Sequence, residues 1–196
     1  MNTYLPIILG STSVFRRQQL ETLGLYFEIA KPECDETPLS GETPETTALR
    51  LAKNKAYSLA GKFPKALIIG ADQVAYCNGR QLGKPMSVAK AQQMLKELSG
   101  QHIDFYSALC LLNTATGKLH SYVDHTTVTM RVLSSEQISR YLEREPDAIY
   151  CAGAAKSEGL GAALLSRIGT TDPNALIGLP LFRLVDFLNT EGIYIV

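Results

Sequence analysis

Two short apolar segments set the strongest limit on how this chain can fold. One runs from Leu5 to Leu9 and is followed by Gly10, and the other runs from Ala66 to Gly70. Apolar runs of this length, bounded by turn residues, predict buried strands. Helical patterns lie between and after them without strict alternation, so the sequence predicts a mixed α/β fold, with one core or with two lobes around a cleft.

The rest of the chain divides into short elements separated by turn residues. Periodicity and capping residues predict helices at Gln18–Leu23, after the cap Thr43, at Ser87–Leu98, from Ser134 to about Glu143 and at Leu179–Leu188. Further strands are predicted at Tyr26–Ala30, Phe105–Leu112 and Tyr122–Val132. Asn78-Gly79 predicts a two-residue hairpin, and Asp172-Pro173-Asn174 predicts a turn. No linker interrupts this order, so residues 1–196 are expected to form a single domain.

Composition excludes several classes of protein. Apolar residues make up 45% of the chain and charged residues 19%, which is ordinary for a globular domain and unlike a disordered chain. The 19 basic and 19 acidic side chains balance, so long nucleic acid is not an expected partner. The first residues do not form a secretion signal. No apolar run is as long as a membrane-spanning helix, which needs about 20 residues, and the four cysteines are far apart in the sequence. We therefore expect a cytoplasmic protein with reduced cysteines and no contact with a membrane.

The segment Ser11–Arg17 joins the first predicted strand to the first predicted helix. A strand that feeds a helix through small residues points backbone N–H groups at an anion. Ser11 and Ser13 would add hydroxyl donors, and Arg16 and Arg17 would add guanidinium groups suited to phosphate. The alternative is a helix cap followed by two solvated arginines. The segment lacks G-x-x-x-x-G-K, so it is not a Walker loop.

Asp72 and Lys84 are candidates that follow predicted β structure. Asp72 comes shortly after Gly70, at a strand exit where a carboxylate commonly faces the ligand crevice of an α/β fold. It could equally form a turn or cap a helix. Lys84 stands between Gly83 and Pro85 after the predicted hairpin, where it is either a fixed phosphate ligand or a surface lysine.

A polar loop before the helix capped by Thr43 carries the carboxylates of Glu33, Asp35 and Glu36. Carboxylate oxygens suit a hard cation such as Mg²⁺, which keeps water and phosphate oxygens as further ligands. The alternative is a solvated acidic loop. Together with the arginines, the lysines and Asp72, these residues provide what is needed to cleave a phosphoanhydride with a divalent metal.

Seven short motifs follow one another along nearly the whole chain. They are S-T-S-V-F-R-R, C-D-E-T-P, R-L-A-K-N-K-A, I-I-G-A-D-Q-V, L-G-K-P, K-S-E-G-L-G and I-G-L-P-L. In this order they resemble the Maf family of nucleoside triphosphate pyrophosphatases. The resemblance implies a mixed α/β fold of ITPase-like or Maf type, with a twisted sheet in two lobes around a deep cleft.

The same resemblance implies a function. Members of the family are cytoplasmic enzymes that use a divalent cation, Mg²⁺ or Mn²⁺, and release a nucleoside monophosphate and pyrophosphate. The resemblance also implies a homodimer. The family is linked to cell-division arrest and to a house-cleaning role, in which modified nucleotides are kept out of nucleic acids.

Roles in phosphate and metal binding carry over to single positions. Four positions match phosphate-binding residues of the family, namely Ser11, Arg16, Lys55 and Lys84. Glu36 matches an acidic residue near the metal. Asp72 matches the proposed proton acceptor and would also contact the metal. Val14 stands where a proline is common, so the phosphate loop is expected to be less rigid here.

Three further positions match those that distinguish the substrate branches of the family, namely Phe15, Gln73 and Glu158. The residues at these positions resemble those of the branch that hydrolyses 7-methyl-GTP. Methylation gives this guanine a positive charge, which an aromatic face attracts. Phe15 can stack on the base, and Glu158 can accept hydrogen bonds from its N–H groups. Gln73 is expected to make a second polar contact. The chain has no tryptophan, so we expect weaker stacking than a tryptophan would give.

Two other functions stay open from the sequence. The same chemistry could act on dTTP and UTP, a branch that carries a glutamine in place of Glu158 and could use it to pair with uracil or thymine. A non-catalytic division inhibitor that acts by binding would need neither a metal nor Asp72. Glu158 could also be only a solvated loop residue. The many acidic and basic candidates favour the enzyme, because binding alone does not require so many acids.

Overall fold

A computed structural model describes residues 5–196 of the chain, which contain seven strands and six α-helices. The strands are β1 Ile7–Gly10, β2 Phe27–Ile29, β3 Leu67–Cys77, β4 Arg80–Leu82, β5 His102–Asn113, β6 Lys118–Met130 and β7 Leu165–Gly169. The helices are α1 Val14–Glu21, α2 Pro44–Ser58, α3 Val88–Leu98, α4 Ser135–Arg144, α5 Pro173–Ile177 and α6 Leu181–Thr190. Three short 3₁₀ segments cover Pro146–Tyr150, Ala152–Ala154 and Leu160–Leu164. Within residues 5–196, none of the helices is both long and apolar enough to cross a membrane.

All seven strands belong to one mixed sheet, which confirms the predicted mixed α/β fold. The strand order is β2-β1-β3-β5-β6-β7, and β4 pairs with β3 beside this path. β1 is parallel to both β2 and β3, whereas β4 is antiparallel to β3 and β7 is antiparallel to β6. The hairpin from β3 to β4 turns at Asn78 and Gly79, which have φ values of 48° and 79°, as the Asn-Gly pair predicts.

The chain divides into two compact units. The first unit contains the residues up to Gln73 together with Ser107–Asp124 and Asp172–Val196. The second unit contains Val74–Tyr106 and His125–Thr171. Three strands, β3, β5 and β6, have residues in both units. That residues 1–196 act as a single domain stays a prediction.

The first unit has a buried sheet with apolar side chains on both faces. Ile7 and Leu9 of β1 pack in one cluster with Leu20 of α1 and with the buried leucines of α6, whereas Ile8 packs in another with Ala56 of α2. Side chains alternate between the two faces of a strand, so these two clusters are the two sides of the sheet. The continuous apolar run therefore predicts this buried strand correctly.

The second unit is built around β6, α3 and α4. Val128 and Met130 of β6 are buried and Thr127 is exposed, which matches the predicted alternation, although Val132 lies beyond the strand and is 85% exposed. α3 begins one residue after the predicted start, with Ser87 as its cap, and Ser134 with Gln137 forms the predicted capping box of α4.

Several predicted elements differ from the structure, and β5 and β6 begin three and four residues before their predicted starts. α1 begins at Val14, four residues before the predicted start, because the side chain of Ser13 caps it there. β3 continues well beyond Gly70 to Cys77. Asp172-Pro173-Asn174 does not form a turn but starts α5, with Asp172 as its cap. The strand β7 has no counterpart in the prediction, and residues 1–4, for which we expect no secretion signal, lie outside the described residues.

Candidate active site

Lys55 is a buried cation that joins two carboxylates of the first unit. It lies near the end of α2, and only 6% of its surface is exposed. Its Nζ donates to Oδ1 of Asp72 at 2.6 Å and lies 3.1 Å from Oε1 of Glu36. We call Lys55, Asp72 and Glu36 the Lys55 cluster. The structure thus brings three of the predicted site residues into direct contact.

A close approach between α2 and β3 makes this contact possible. A Cβ atom on Gly70 would lie 2.2 Å from the carbonyl oxygen of Ala52 and 3.0 Å from Cβ of Ala56, so a larger residue would force the helix away. Side chains two residues apart on a strand point to the same face, so Asp72 faces α2 as Gly70 does. Ala52 lies almost one turn before Lys55. The glycine of I-I-G-A-D therefore sets the distance between Lys55 and Asp72.

Ser11 and Ser13 shape the segment between β1 and α1. Ser11 is 5% exposed, and its Oγ accepts a hydrogen bond from the backbone N–H of Ser13 at 3.1 Å. Ser13 caps α1 by accepting from the N–H of Arg16 at 3.4 Å. The helix-cap interpretation is therefore correct for Ser13, while the O–H of Ser11 can still donate to a phosphate oxygen.

The two arginines of this segment differ in their contacts. Nε of Arg16 donates to the carbonyl oxygen of Gly178 at 2.9 Å, which leaves its terminal nitrogens without a hydrogen-bond partner within residues 5–196. Burial lowers the pKa of Arg16 from its ordinary value, and the negative charges of Asp72 and Glu36 oppose this shift. Arg17 instead pairs with Glu21 at 2.8 Å on an exposed face. Arg16 therefore adds its charge to the Lys55 cluster, whereas Arg17 is a solvated arginine.

Among the three carboxylates proposed for the acidic loop, Glu36 is the one that contacts Lys55. Asp35 accepts a hydrogen bond from the backbone N–H of Thr37 at 2.9 Å and so stabilises a local turn. The carboxylate of Glu33 has no hydrogen-bond or ion-pair partner among residues 5–196. The resemblance to the Maf family singled out the same residue, Glu36.

An ion pair at the end of the acidic loop holds the loop to α2. The carboxylate of Glu42 contacts Nε of Arg50 at 2.5 Å and Nη2 at 2.8 Å, and Nη2 also donates to the carbonyl oxygen of Thr37 at 3.0 Å. The hydrogen bond from Arg50 lowers the pKa of Glu42 to about 2. Because Thr37 follows Glu36, this clamp restrains the backbone beside the Lys55 cluster.

The donor atoms of the Lys55 cluster fit a divalent cation only if other ligands complete its shell. No group of three or more His, Cys, Asp or Glu side chains that could hold a metal occurs between residues 5 and 196. Glu36 and Asp72 supply two carboxylates, and Oδ2 of Asp72 has no hydrogen-bond partner in that part of the chain. Mg²⁺ is commonly bound by one or two carboxylates, with phosphate oxygens and water as the remaining ligands. The chemistry of this pair of residues fits such a metal.

Gln73 binds the backbone of α5. Its Nε2 donates to Oγ of Ser107 at 2.9 Å and to the carbonyl oxygens of Ala175 and Leu176, each at 3.0 Å. These contacts occupy the two N–H groups of the amide, so only its Oε1 remains for a base. Phe15, the other substrate position in the first unit, is half-buried in the first turn of α1.

Lys84 and Glu158 belong to the second unit. Lys84 is exposed and lies on the wall of a pocket of about 400 Å³, which Arg80, Lys90 and Met94 also line. Glu158 is exposed on the loop that follows the second 3₁₀ segment. The pKa of Cys151 is raised to about 11, mainly by burial; the charge of Glu158 adds to this rise, and the charges of Lys156 and Lys84 oppose it. The remaining predicted site residues belong to the first unit, namely Ser11, Phe15, Arg16, Glu36, Lys55, Asp72 and Gln73.

Comparison with known proteins assigns the family. The family model described as "Maf-like protein" matches residues 6–191. The chain belongs to the Maf family. The match covers every predicted site residue in both units.

Curated relatives from the Maf family cover nearly the whole chain. A protein of Neisseria gonorrhoeae named "7-methyl-GTP pyrophosphatase" is 63% identical over 193 residues, which is 98% of each chain. Relatives with the same name from Chromobacterium violaceum and Vibrio cholerae are 55% and 47% identical and cover at least 95% of each chain. A solved structure of the Staphylococcus aureus Ham1 protein has a TM-score of 0.44 and 15% identity, covering 64% of this chain and 71% of that one. So distant a likeness adds nothing to the family assignment.

Several residues that support the site have no role indicated by the sequence. Arg50 is the first residue of R-L-A-K-N-K-A and Gly178 belongs to I-G-L-P-L, so both lie in motifs that had no assigned role for them. Tyr141 and Glu145 of the second unit lie outside all seven motifs. Their contacts join residues that are distant in sequence, so no spacing rule could have indicated them.

Proposed function

We propose that this protein is a nucleoside triphosphate pyrophosphatase that converts 7-methyl-GTP to 7-methyl-GMP and pyrophosphate. The observation that carries the proposal is the 63% identity over 98% of the chain to a relative of that name. The Lys55 cluster supports it, because two carboxylates held by one buried cation are suited to reactions at phosphate. The proposed role is house-cleaning in the cytoplasm, where the enzyme keeps modified nucleotides out of nucleic acids, with a link to cell-division arrest.

In the proposed reaction, water attacks the α-phosphorus and the bond to the bridging oxygen breaks, so pyrophosphate leaves. Asp72 accepts the proton of the water on Oδ2, because Lys55 holds Oδ1. The positive charges of Lys55, Arg16 and Lys84 stabilise the charge that develops on the phosphates, and Ser11 donates a hydrogen bond to them. A divalent cation, Mg²⁺ or Mn²⁺, bound by Glu36 and Asp72 would supply further positive charge and acidify the water.

Recognition of the base is proposed to use charge. The 7-methylated guanine is cationic, so the exposed carboxylate of Glu158 attracts it more strongly than it attracts neutral guanine. Phe15 offers an aromatic face to the same cation. Oε1 of Gln73 can accept from an N–H group of the base, because the amide nitrogen of this residue is already bonded to α5. We also propose that the enzyme is a homodimer, as the resemblance to the family implies. Because its charges balance, we propose that it does not bind long nucleic acid.

Replacing Glu158 by glutamine tests the assignment of the substrate. The change keeps the size of the side chain and removes the charge, so the advantage of a cationic base should disappear. Charge-assisted hydrogen bonds contribute about 1.5–3 kcal/mol, which corresponds to a fall of about 10- to 100-fold in the ratio of kcat/KM for 7-methyl-GTP over GTP. The measurement is pyrophosphate release from 7-methyl-GTP, GTP, dTTP and UTP.

Glu143→Gln is the matched control, because Glu143 is an exposed glutamate of the same unit and has no described partner. It should leave the ranking of the four nucleotides unchanged. If Glu158→Gln also leaves the ranking unchanged, Glu158 does not select the base. If the unmodified protein prefers dTTP and UTP, it belongs with the pyrimidine-directed branch, and if it hydrolyses none of the four, a binding function replaces the enzyme.

A further inference from the structure

The loop that carries Glu158 is tied down at both ends by one carboxylate. We call residues 156–161, K-S-E-G-L-G, the specificity loop. Oε1 of Glu145 accepts from Nζ of Lys156 at 3.0 Å, and Oε2 accepts from the backbone N–H of Leu160 at 3.1 Å. Glu145 follows the last residue of α4. A side chain at the C-terminal end of α4 therefore bridges residues on either side of Glu158.

The contacts of Glu145 are shielded from water. Its side chain is 14% exposed and that of Lys156 is 20% exposed. The pKa of Glu145 is lowered, mainly by the hydrogen bond from the backbone of Leu160 and to a smaller extent by the one from Lys156. The hydrogen bond to Glu145 in turn raises the pKa of Lys156. Both groups are therefore charged at neutral pH, and charged hydrogen bonds between largely buried groups are the strong ones.

A second contact fixes the start of the specificity loop. The hydroxyl oxygen of Tyr141, a residue that is 4% exposed in α4, accepts from the backbone N–H of Lys156 at 3.0 Å. Tyr141 lies in α4 and Glu145 directly follows this helix, and the two side chains contact the same residue of the loop. The backbone and the side chain of Lys156 are thus held from the C-terminal end of α4.

Two glycines allow the specificity loop to close around Glu145. A Cβ atom on Gly159 would lie 2.5 Å from Oε2 of Glu145. A Cβ atom on Gly161 would lie 2.4 Å from the carbonyl oxygen of Lys156. Real Cβ atoms do not come so close, so a side chain at Gly159 would displace the carboxylate of Glu145, and one at Gly161 would push against the backbone of Lys156. Gly159 therefore serves the approach of the loop to Glu145, and Gly161 serves the close folding of the loop on itself.

We propose that Glu145 is a positioning residue for base specificity, which holds the specificity loop so that the carboxylate of Glu158 stands where it meets the cationic base. The proposal rests on the proposed function, since it assigns Glu145 a part in the same selection. Glu158 itself is exposed, and its one described contact is a 3.4 Å hydrogen bond from Oγ of Ser157. Its position therefore depends on the backbone that Glu145 and Tyr141 restrain.

Glu145→Gln tests the proposal, because the amide keeps the shape of the side chain but loses the ion pair with Lys156. We expect the ratio of kcat/KM for 7-methyl-GTP over GTP to fall about tenfold, as is typical of coupled neighbours, while kcat/KM for GTP changes little. Glu143→Gln should leave the ratio within about twofold of the unmodified protein, since surface changes of this kind have small effects.

A double-mutant cycle separates positioning from general damage. If Glu145 acts through Glu158, then adding Glu145→Gln to Glu158→Gln should not lower the ratio further. A purely structural role would lower the rates on both nucleotides alike in either background and would overturn the proposal. If Glu145→Gln does not fold, Tyr141→Phe removes only a hydroxyl acceptor and should lower the ratio in the same way.

The controls also separate this proposal from the proposed function. If the unmodified protein prefers 7-methyl-GTP and Glu158→Gln removes the preference, the proposed function stands. An unchanged ratio in Glu145→Gln would then overturn the positioning role alone. If the unmodified protein shows no preference, the proposed function itself fails.

Discussion

Lys55 has the environment that distinguishes a site residue from a surface lysine. Lysine is almost never fully buried unless it is paired, and here its ammonium group contacts Asp72 and Glu36. Lys53, two residues earlier on α2, is half-exposed and has no such contacts. The sequence motif R-L-A-K-N-K-A contains both lysines, and only their position on the helix decides which one lies in the site.

Asp72→Asn should abolish turnover and leave the fold intact. The amide cannot accept the proton of the attacking water, and loss of such a group costs about 10²- to 10⁴-fold in kcat. Its oxygen can still accept from Lys55, which also keeps Glu36 as a partner at 3.1 Å. We therefore expect a cost below about 1 kcal/mol, or a fall in Tm of less than about 4 °C for a chain of this size.

The measurements for Asp72→Asn are kcat on 7-methyl-GTP and a thermal melt. Asp186→Asn is the control, because this aspartate lies in the same unit and its side chain is 62% exposed. The control should keep both activity and Tm. A large fall in Tm that accompanies the loss of activity in Asp72→Asn would show that Asp72 is needed for folding rather than for the reaction.

Among the larger elements, the acidic loop between β2 and α2 depends on an ion pair that can be titrated. The pKa of Glu42 in the folded protein is about 2, below its ordinary value of 4.5, mainly because of the hydrogen bond from Arg50. A carboxylate whose pKa is lowered in the folded protein stabilises the fold at pH values above the pKa that the same group has in the unfolded chain. This stability is lost as the pH falls from about 4.5 toward about 2.

Glu42→Gln should therefore lower Tm by a constant amount above about pH 5.5, and the difference should shrink below about pH 4.5. The measurement is Tm of both proteins between about pH 3 and pH 7. Glu33→Gln is the control, because Glu33 lies on the same loop and its carboxylate has no described partner. The Tm of this variant should follow that of the unmodified protein at every pH. A difference that stays constant down to pH 3 would contradict the role given to the charge of Glu42.

The elements that depend on local contacts are the ones that the sequence predicts well. Thr43 and Ser134 cap the helices that follow them, as expected, because a cap is a contact within one turn. The full length of β3 could not be predicted, because Asp72 and Gln73 interrupt its apolar run. Both residues are accommodated within the strand by contacts with distant segments, through Lys55 and through the carbonyl groups of α5.

In the candidate site, too, features that depend on local sequence could be predicted, whereas those that depend on distant contacts could not. The resemblance to the Maf family indicates the residues that are proposed to touch the substrate, because they lie in short motifs. The residues that hold these motifs in place, such as Arg50 and Glu145, became evident only from the structure. An ion pair between Glu145 and Lys156 spans eleven residues and an irregular segment, and no periodicity predicts such a contact.

For the molecule as a whole, both units contribute residues to the proposed reaction. The first unit contains the Lys55 cluster and Arg16, which are proposed to act on the phosphates, and the second contains Lys84 and the specificity loop with Glu158. Variants of the Lys55 cluster should therefore change the rate on every nucleotide, and variants of the specificity loop should change the preference among them. Both parts fall within the single family match from residue 6 to residue 191.

The most direct test is to identify the products formed from 7-methyl-GTP in water labelled with ¹⁸O. With Mg²⁺ or Mn²⁺ present, we expect 7-methyl-GMP that carries one ¹⁸O atom, together with unlabelled pyrophosphate, and no reaction after the metal is chelated. The reaction should be faster than that on GTP, dTTP or UTP. Label in the pyrophosphate would contradict attack at the α-phosphorus, and release of 7-methyl-GDP and phosphate would contradict the function proposed for this protein.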